Sequence, residues 1–367
     1  MTLIAKYSIN GFNMVFGDLL TTGSISNDAR PIKIPTQGNV NEFFGDCGWG
    51  ISGLNQKVNL ISDNCIIAWA GEWIGAKIVI SDLHRLSKIK NLTVDDLLNI
   101  IDNNPELEKH PVQLVGLIFD QNEIIGFSSE AEEFESKSLQ NVCLGGTGGD
   151  AIRQFSQLLN NVKNIAEGNV NVVAEGIASS LFLGSLLLNT EFREGTSTPT
   201  LLNMFGGGYE IAFFADGKMQ KLAEVTFLFW QATLTETGCL VSYPELIVKQ
   251  GYANDHLLIR SVRLCLNNDF TVSSFDEQNI VVRPMFEPPN RPSRDYLDSL
   301  SLSSRILSHC ILVGDGSKFL GISSLVQSYS ETSKNDLTFH GKGENWTMTF
   351  TSTLTEKISA YAEKLRK

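Results

Sequence analysis

Apolar positions at the start of the chain cluster in two short β-prone runs, residues 3–9 and 12–16, joined by Asn10-Gly11. Both turn residues tolerate positive φ, so this pair predicts a type I′ hairpin. Residues 23–56 are rich in Gly, Asn, Ser and Pro and predict a long excursion with little regular structure. Residues 57–60 and 65–70 predict a second hairpin, turning at 62–64, and residues 75–88 have the period of a helix. Thr93 predicts the N-cap of another helix, with Asp96 in the capping-box position where Glu or Gln is usual. A third hairpin is expected over 112–119 and 123–127, then a short strand at 141–145. Helices at 150–159 and 174–188 and strands at 209–214 and 219–230 follow, the latter two turning at Asp216-Gly217.

The order is strands, helix pair, strands, helix pair, strands. Hairpins rather than helical crossovers join the strands, which predicts antiparallel sheets. Two sheets held between two helix layers is the packing expected: an α+β fold, a four-layer αββα sandwich over residues 1–235. After residue 236 the texture changes. Residues 256–286 hold strand-like runs, 287–292 read as a Pro-rich linker, and a helix (296–310), more strand (337–350) and a terminal helix (355–364) are expected. Residues 236–367 are thus an additional C-terminal α/β extension that suggests no chemistry.

Composition narrows the function classes. With 42% hydrophobic residues in 367, the chain can bury a sizeable core. A net charge of -12 and the lack of a Lys/Arg cluster argue against nucleic acid and against an anionic membrane as partners. Six scattered cysteines without a CxxC pair predict reduced, buried thiols, with neither disulfide staples nor a metal site. His309 adjoins Cys310, but neighbouring side chains point to different faces, so no catalytic pair is expected there. The start has no charged region followed by an apolar stretch and cleavage site, and the apolar run 180–188 is too short to span a bilayer. Cytoplasmic localisation is the expectation. Nothing calls for a cofactor.

Candidate chemistry lies in spaced motifs. Thr2 directly precedes the first strand. Phe16-Gly17-Asp18 ends the second, followed by Thr21 and Thr22; Gln56-Lys57-Val58 begins the next hairpin, and Ala70-Gly71 follows Lys57 by thirteen residues. Residues 144–149 read Leu-Gly-Gly-Thr-Gly-Gly, centred on Thr147. Taken singly, Asp18 reads as a turn residue, Lys57 as a solvated charge, Gly71 as a strand-end glycine and Thr147 as a helix cap. Together, in this order, they resemble the proteasome β-subunit group of N-terminal-nucleophile hydrolases, and within it the HslV-like branch. The resemblance covers about residues 2–230.

The resemblance implies a threonine-type peptidase or amidohydrolase. Thr2, exposed by removal of Met1, would attack an amide carbonyl, with its own α-amine as the base. An α-amine titrates near 7.7–8.0, suited to proton exchange at neutral pH. Lys57 would sit beside the Thr2 hydroxyl and Asp18 would pair with Lys57. The Gly71 N–H would meet the oxyanion, and Thr147 would take the place of the family's serine near the α-amine. Thr21 and Thr22 fall in the substrate-lining segment. The family's late aspartate segment is Leu202-Asn203-Met204-Phe205-Gly206-Gly207-Gly208 here, with Asn203 in the aspartate's slot. Trp73 stands where the family has small residues and is expected to narrow the specificity pocket. The 24–52 insertion carries Phe43, Phe44 and Trp49 as apolar anchors near the cleft.

The resemblance also implies a ring-type homo-oligomer acting on a peptide or amide. The sequence has no GxxxxGK[ST], so an ATPase partner would be a separate protein. Two other readings stay open: a catalytically inactive proteasome-like structural subunit or scaffold, and a self-contained amidohydrolase acting on a small amide.

Overall fold

The computed structural model describes residues 2–24, 31–40, 48–161, 171–267, 272–288, 290–292, 301–302, 304–328, 336–342 and 345–366. Met1, Phe43, Phe44, Cys47 and the side chain of Trp49 lie outside what is described. The chain forms two compact units, Met1–Leu222 with Val282–Glu287, and Ala223–Val281 with Pro288–Lys367.

In the first unit β1 (Leu3–Ile9) and β2 (Phe12–Asp18) form the expected hairpin, with Asn10 and Gly11 both at positive φ. Then come β3 (Leu20–Ser24), β4 (Trp49–Leu54), β5 (Val58–Ser62), β6 (Cys65–Gly71), α1 (Trp73–Ser87), α2 (Val94–Asp102) and α3 (Glu106–Lys109). They are followed by β7 (Val112–Asp120), β8 (Glu123–Ser129), β9 (Glu132–Phe134), β10 (Gln140–Gly146), α4 (Gly149–Asn161), α5 (Val172–Glu194), α6 (Pro199–Leu202), β11 (Tyr209–Ala215) and β12 (Lys218–Lys221). One sheet has the order β12-β11-β2-β1-β10-β9, a second β5-β6-β7-β8, and β3 pairs with β4 as a ribbon. The recorded pairings of this unit's strands are antiparallel, as expected.

The side-chain period of two decides what each strand buries. Ile4 and Val15 from the larger sheet meet Val58, Ile66, Ala68, Val115 and Leu117 from the smaller one in a single buried cluster. The alternate residues of β6, Cys65, Ile67 and Trp69, instead pack on Ala76, Val79, Ile80 and Leu83 of α1 and Leu97 of α2. On the far side of β1, Tyr7 bonds Ser180 of α5 at 2.7 Å between the hydroxyls. β1 is buried along its whole length, its polar Lys6 and Ser8 included. Each such aliphatic side chain contributes roughly 1.5–3 kcal/mol by its burial. The capping box at Thr93 and Asp96 forms as expected.

α5 is longer than the sequence suggested. By length and composition it could cross a membrane, but 67% of its most apolar stretch is buried within the protein. The irregular reading of 23–56 is corrected in part: β4 closes a ribbon on β3, which the turn-rich composition masked.

The second unit holds β13 (Glu224–Thr235), β14 (Gly238–Val241), β15 (Leu246–Ala253), β16 (His256–Leu266), β17 (Val272–Val282), β18 (Ile306–Gly314), β19 (Phe319–Ser328), β20 (Leu337–Lys342), β21 (Asn345–Phe350) and α7 (Ser352–Glu363). Its main sheet has the order β17-β16-β15-β13-β18-β19, with β14 on β13. Leu228, Trp230, Ile311 and Val313 pack with Leu354 and Ile358 of α7.

Four expectations change here. Residues 219–230 are not one strand: β12 belongs to the first unit, while β13 pairs with β15 and β18 in the second. The units therefore divide after Leu222, where the sequence suggested 235, and Val282–Glu287 return to the first. Of the helix expected over 296–310, residues 296–300 and 303 lie outside the described residues, and from Ile306 on the chain is a strand parallel to β13. An apolar run buried on both faces carries no period to tell strand from helix. The thiols are not uniformly buried: Cys65, Cys143 and Cys310 are, while Cys239 is half-buried and Cys265 exposed. His309 is held neutral in the core between Trp230 and Gln327, where burial pushes its pKa down to about 4.

Candidate active site

The β1–β2 register sets Ile4 opposite Gly17, which brings the start of β1 to the end of β2. There the fully buried Asp18 carboxylate collects four donors. Its Oδ1 accepts from the Thr2 hydroxyl at 2.6 Å, the Leu3 N–H at 2.9 Å and the Lys57 ammonium at 2.7 Å. Its Oδ2 accepts from the Gly206 N–H at 2.8 Å. A buried carboxylate is tolerable only with such a set, and charge-assisted bonds of this kind are the strong ones. The sequence placed Lys57 beside the Thr2 hydroxyl; in the structure Asp18 contacts the hydroxyl directly, and Lys57 shares the same oxygen.

Lys57 stands at the entry to β5 and is buried. Its ammonium also donates to the Leu20 carbonyl. Burial pushes its pKa below the usual lysine range, while the charge and hydrogen bond of Asp18 pull it back up. Its backbone is pinned by Glu210 of β11, whose Oε2 accepts the N–H of Lys57 at 2.8 Å and of Val58 at 3.0 Å. Glu210 Oε1 pairs with Lys221 at 2.7 Å, and Lys221 donates to Gln56 at 2.8 Å. The sequence reading missed Glu210. Its only signal was a lone acid in the apolar stretch of β11.

Gly71 ends β6 with φ +100°, a conformation side chains disfavour. A Cβ here would also lie 2.6 Å from the Pro111 carbonyl oxygen, so the turn requires glycine. Thr2, Thr21, Thr22, Lys57, Gly71 and Trp73 line one cavity of about 730 Å³. Six of the nine residues singled out in the sequence thus face the same space, and Asp18 lies directly behind it.

Thr147 and Asn203 are placed differently. The Thr147 hydroxyl donates to the Asn203 carbonyl at 2.5 Å, and the Asn203 side-chain amide donates to Pro199 O at 2.9 Å. The neighbour of Thr147 does reach the site: the Gly148 N–H donates to the Thr2 carbonyl at 3.1 Å. In the late segment it is Gly206, three residues beyond Asn203, that touches Asp18. Trp73 is half-exposed at the cavity rim, with the Lys77 ammonium 4.5 Å from its ring centre. Among the described residues no cluster of His, Cys, Asp and Glu is arranged to hold a metal ion.

No family model and no curated protein matches this chain. Among solved structures it is similar to a eukaryotic HslV from Trypanosoma brucei, at 12% identity over 57% of this chain and 97% of that one, with a TM-score of 0.32.

Proposed function

We propose that the protein is a threonine-type N-terminal-nucleophile amide hydrolase, and that its first unit is the four-layer αββα sandwich expected from the sequence. The observation that carries this reading is the shared Asp18 oxygen. It joins the Thr2 hydroxyl and the Lys57 ammonium on the floor of a cavity that also presents Gly71.

In this mechanism Thr2 is the first residue of the mature chain. Its Oγ1 attacks the substrate carbonyl and its proton passes to the α-amine, directly or through water. The nearby Lys57 ammonium lowers the cost of the alkoxide and favours the neutral amine. The Gly71 N–H faces the oxyanion of the tetrahedral intermediate. Collapse breaks the C–N bond and the leaving amine takes the proton. Water, deprotonated by the same α-amine, then hydrolyses the acyl ester and frees Thr2. Asp18 holds Lys57 charged and orients the hydroxyl.

On the motif resemblance we propose a peptide substrate, ring-type self-association and a separate ATPase partner, and on the scattered cysteines without a CxxC pair a cytoplasmic setting. A second reading, an inactive structural subunit, draws support from one feature: the Thr147 hydroxyl, expected near the α-amine, is turned to the Asn203 carbonyl.

The test is intact-mass measurement of untagged protein, followed by a threonine-directed electrophile such as a peptide epoxyketone. Loss of one methionine and a single adduct on Thr2, absent in Thr2→Ala, is the expected result. A Met1-free protein that never forms the adduct overturns the hydrolase in favour of the structural subunit.

A further inference from the structure

The Glu191 carboxyl lies just behind the Asp18 cluster and has no part in the proposed chemistry. It sits in the last turn of α5, fully buried, where the helix dipole opposes a negative charge. Its Oε1 accepts from the Tyr209 hydroxyl at 2.8 Å and the Gly207 N–H at 3.3 Å, and its Oε2 from the Thr36 hydroxyl at 3.1 Å. Its backbone carbonyl accepts from Gln37 Nε2 at 2.9 Å.

These partners surround one short loop. Gly206, Gly207 and Gly208 all have positive φ, so the chain there has little conformational preference of its own. Yet Gly206 must aim its N–H at Asp18 Oδ2, and its carbonyl takes the N–H groups of both Leu19 and Leu20. Tyr209, directly after the loop, pairs with Asp18 across β11 and β2. Thr36 and Gln37 belong to the 24–52 insertion. Glu191 thus grips the glycine loop with one oxygen and the insertion with the other.

We propose that Glu191 is a positioning residue: it fixes the Gly206–Gly208 loop on Asp18 and couples that contact to the Thr36–Gln37 turn of the insertion. This rests on the reading of Thr2 as nucleophile for its catalytic consequence, but not for the clamp itself. Burial pushes the Glu191 carboxyl up to about 7, with Tyr209 and Asp18 the titratable groups facing it. The clamp therefore changes protonation in the neutral range.

The experiment uses the full chain without Met1, as wild type, Glu191→Gln and Glu191→Ala. Gln keeps a carbonyl for Gly207 and Tyr209 and offers an amide to the Thr36 hydroxyl; Ala keeps neither. Gly206 and Gly207 amide resonances are followed in ¹⁵N-glycine-labelled protein from about pH 5.5 to 8.5. The rate of Thr2 modification by the epoxyketone is measured alongside. In wild type both resonances are expected to share a midpoint near neutral pH that Glu191→Gln lacks, leaving in that variant only the later response to the Thr2 α-amine. Folded Glu191→Ala is expected to modify Thr2 at least ~10-fold more slowly, and Glu191→Gln within ~3-fold of wild type. Titration of Gly207 without Gly206, or a folded Glu191→Ala that modifies Thr2 at the wild-type rate, overturns the proposal. If Glu191→Ala does not fold, the wild-type and Glu191→Gln titrations decide. If wild-type Thr2 forms no adduct, the nucleophile reading falls; joint titration then still supports the clamp and its absence overturns it.

Discussion

The Thr2 hydroxyl and the Asp18 carboxylate are in direct contact at 2.6 Å, on the oxygen that also takes the Lys57 ammonium. Asp18 is therefore the centre of the cluster rather than only a partner for the lysine. Asp18→Ala removes the acceptor from four donors and leaves a buried ammonium without its counter-ion. A loss of about 3–5 kcal/mol is expected from the urea midpoint, with an unchanged slope. Asp18→Asn keeps the shape and removes the charge. It is expected to stay folded and modify Thr2 at least ~100-fold more slowly; wild-type rates in that variant would remove Asp18 from the mechanism.

Gly71→Ala tests the turn. The substitution forces a side chain into φ +100° and against the Pro111 carbonyl. Strain of about 1–3 kcal/mol is expected, read as a lower urea midpoint. Because the turn also aims the Gly71 N–H, the rate of Thr2 modification should fall by roughly 100-fold or more. A rate loss no larger than the stability loss would explain would place the oxyanion elsewhere.

What the sequence could reveal was local or fixed by spacing. Asn10-Gly11 marked its hairpin, and Thr93 and Asp96 their cap, because the partners lie a few residues apart. Thr2, Asp18, Lys57 and Gly71 were found through motif order, and the structure brings them together. Glu210 and Glu191 were not found, and in the late segment Asn203 was singled out where Gly206 makes the contact. Each acts on partners far along the chain: Glu210 is a lone acid in the apolar β11 and Glu191 one of several polar residues closing α5, and neither has a local signature of its task. β18 was misread because a strand buried on both faces shows no alternation. The boundary at Leu222 was missed because β12 and β13 are only two residues apart yet join different sheets.

Trp73 sits at the rim, half-exposed, and its ring bears the Lys77 ammonium rather than core contacts. Trp73→Ala should therefore change stability by no more than about 0.5 kcal/mol. Its effect should appear in specificity. Cleavage of peptides with bulky residues at the acyl position should rise relative to small ones, in a panel that varies only that residue. An unchanged ratio would mean that Trp73 does not narrow the pocket.

The last prediction concerns stability and pH. Burial raises the Glu191 carboxyl from 4.5 to about 7 in the folded protein. Between these values the unfolded chain has lost the proton and the native state still holds it. The native state then binds more protons, so its stability falls as pH rises through this window. Below 4.5 both states are protonated and the effect vanishes; above 7 the loss is complete. Glu191→Gln does not titrate and serves as the reference. Relative to it, wild type is expected to lose on the order of 3 kcal/mol between about pH 4.5 and 7. Urea midpoints of both proteins across this range measure the difference. A wild type that gains stability relative to Glu191→Gln as pH rises would show that the three donors around Glu191 outweigh its burial.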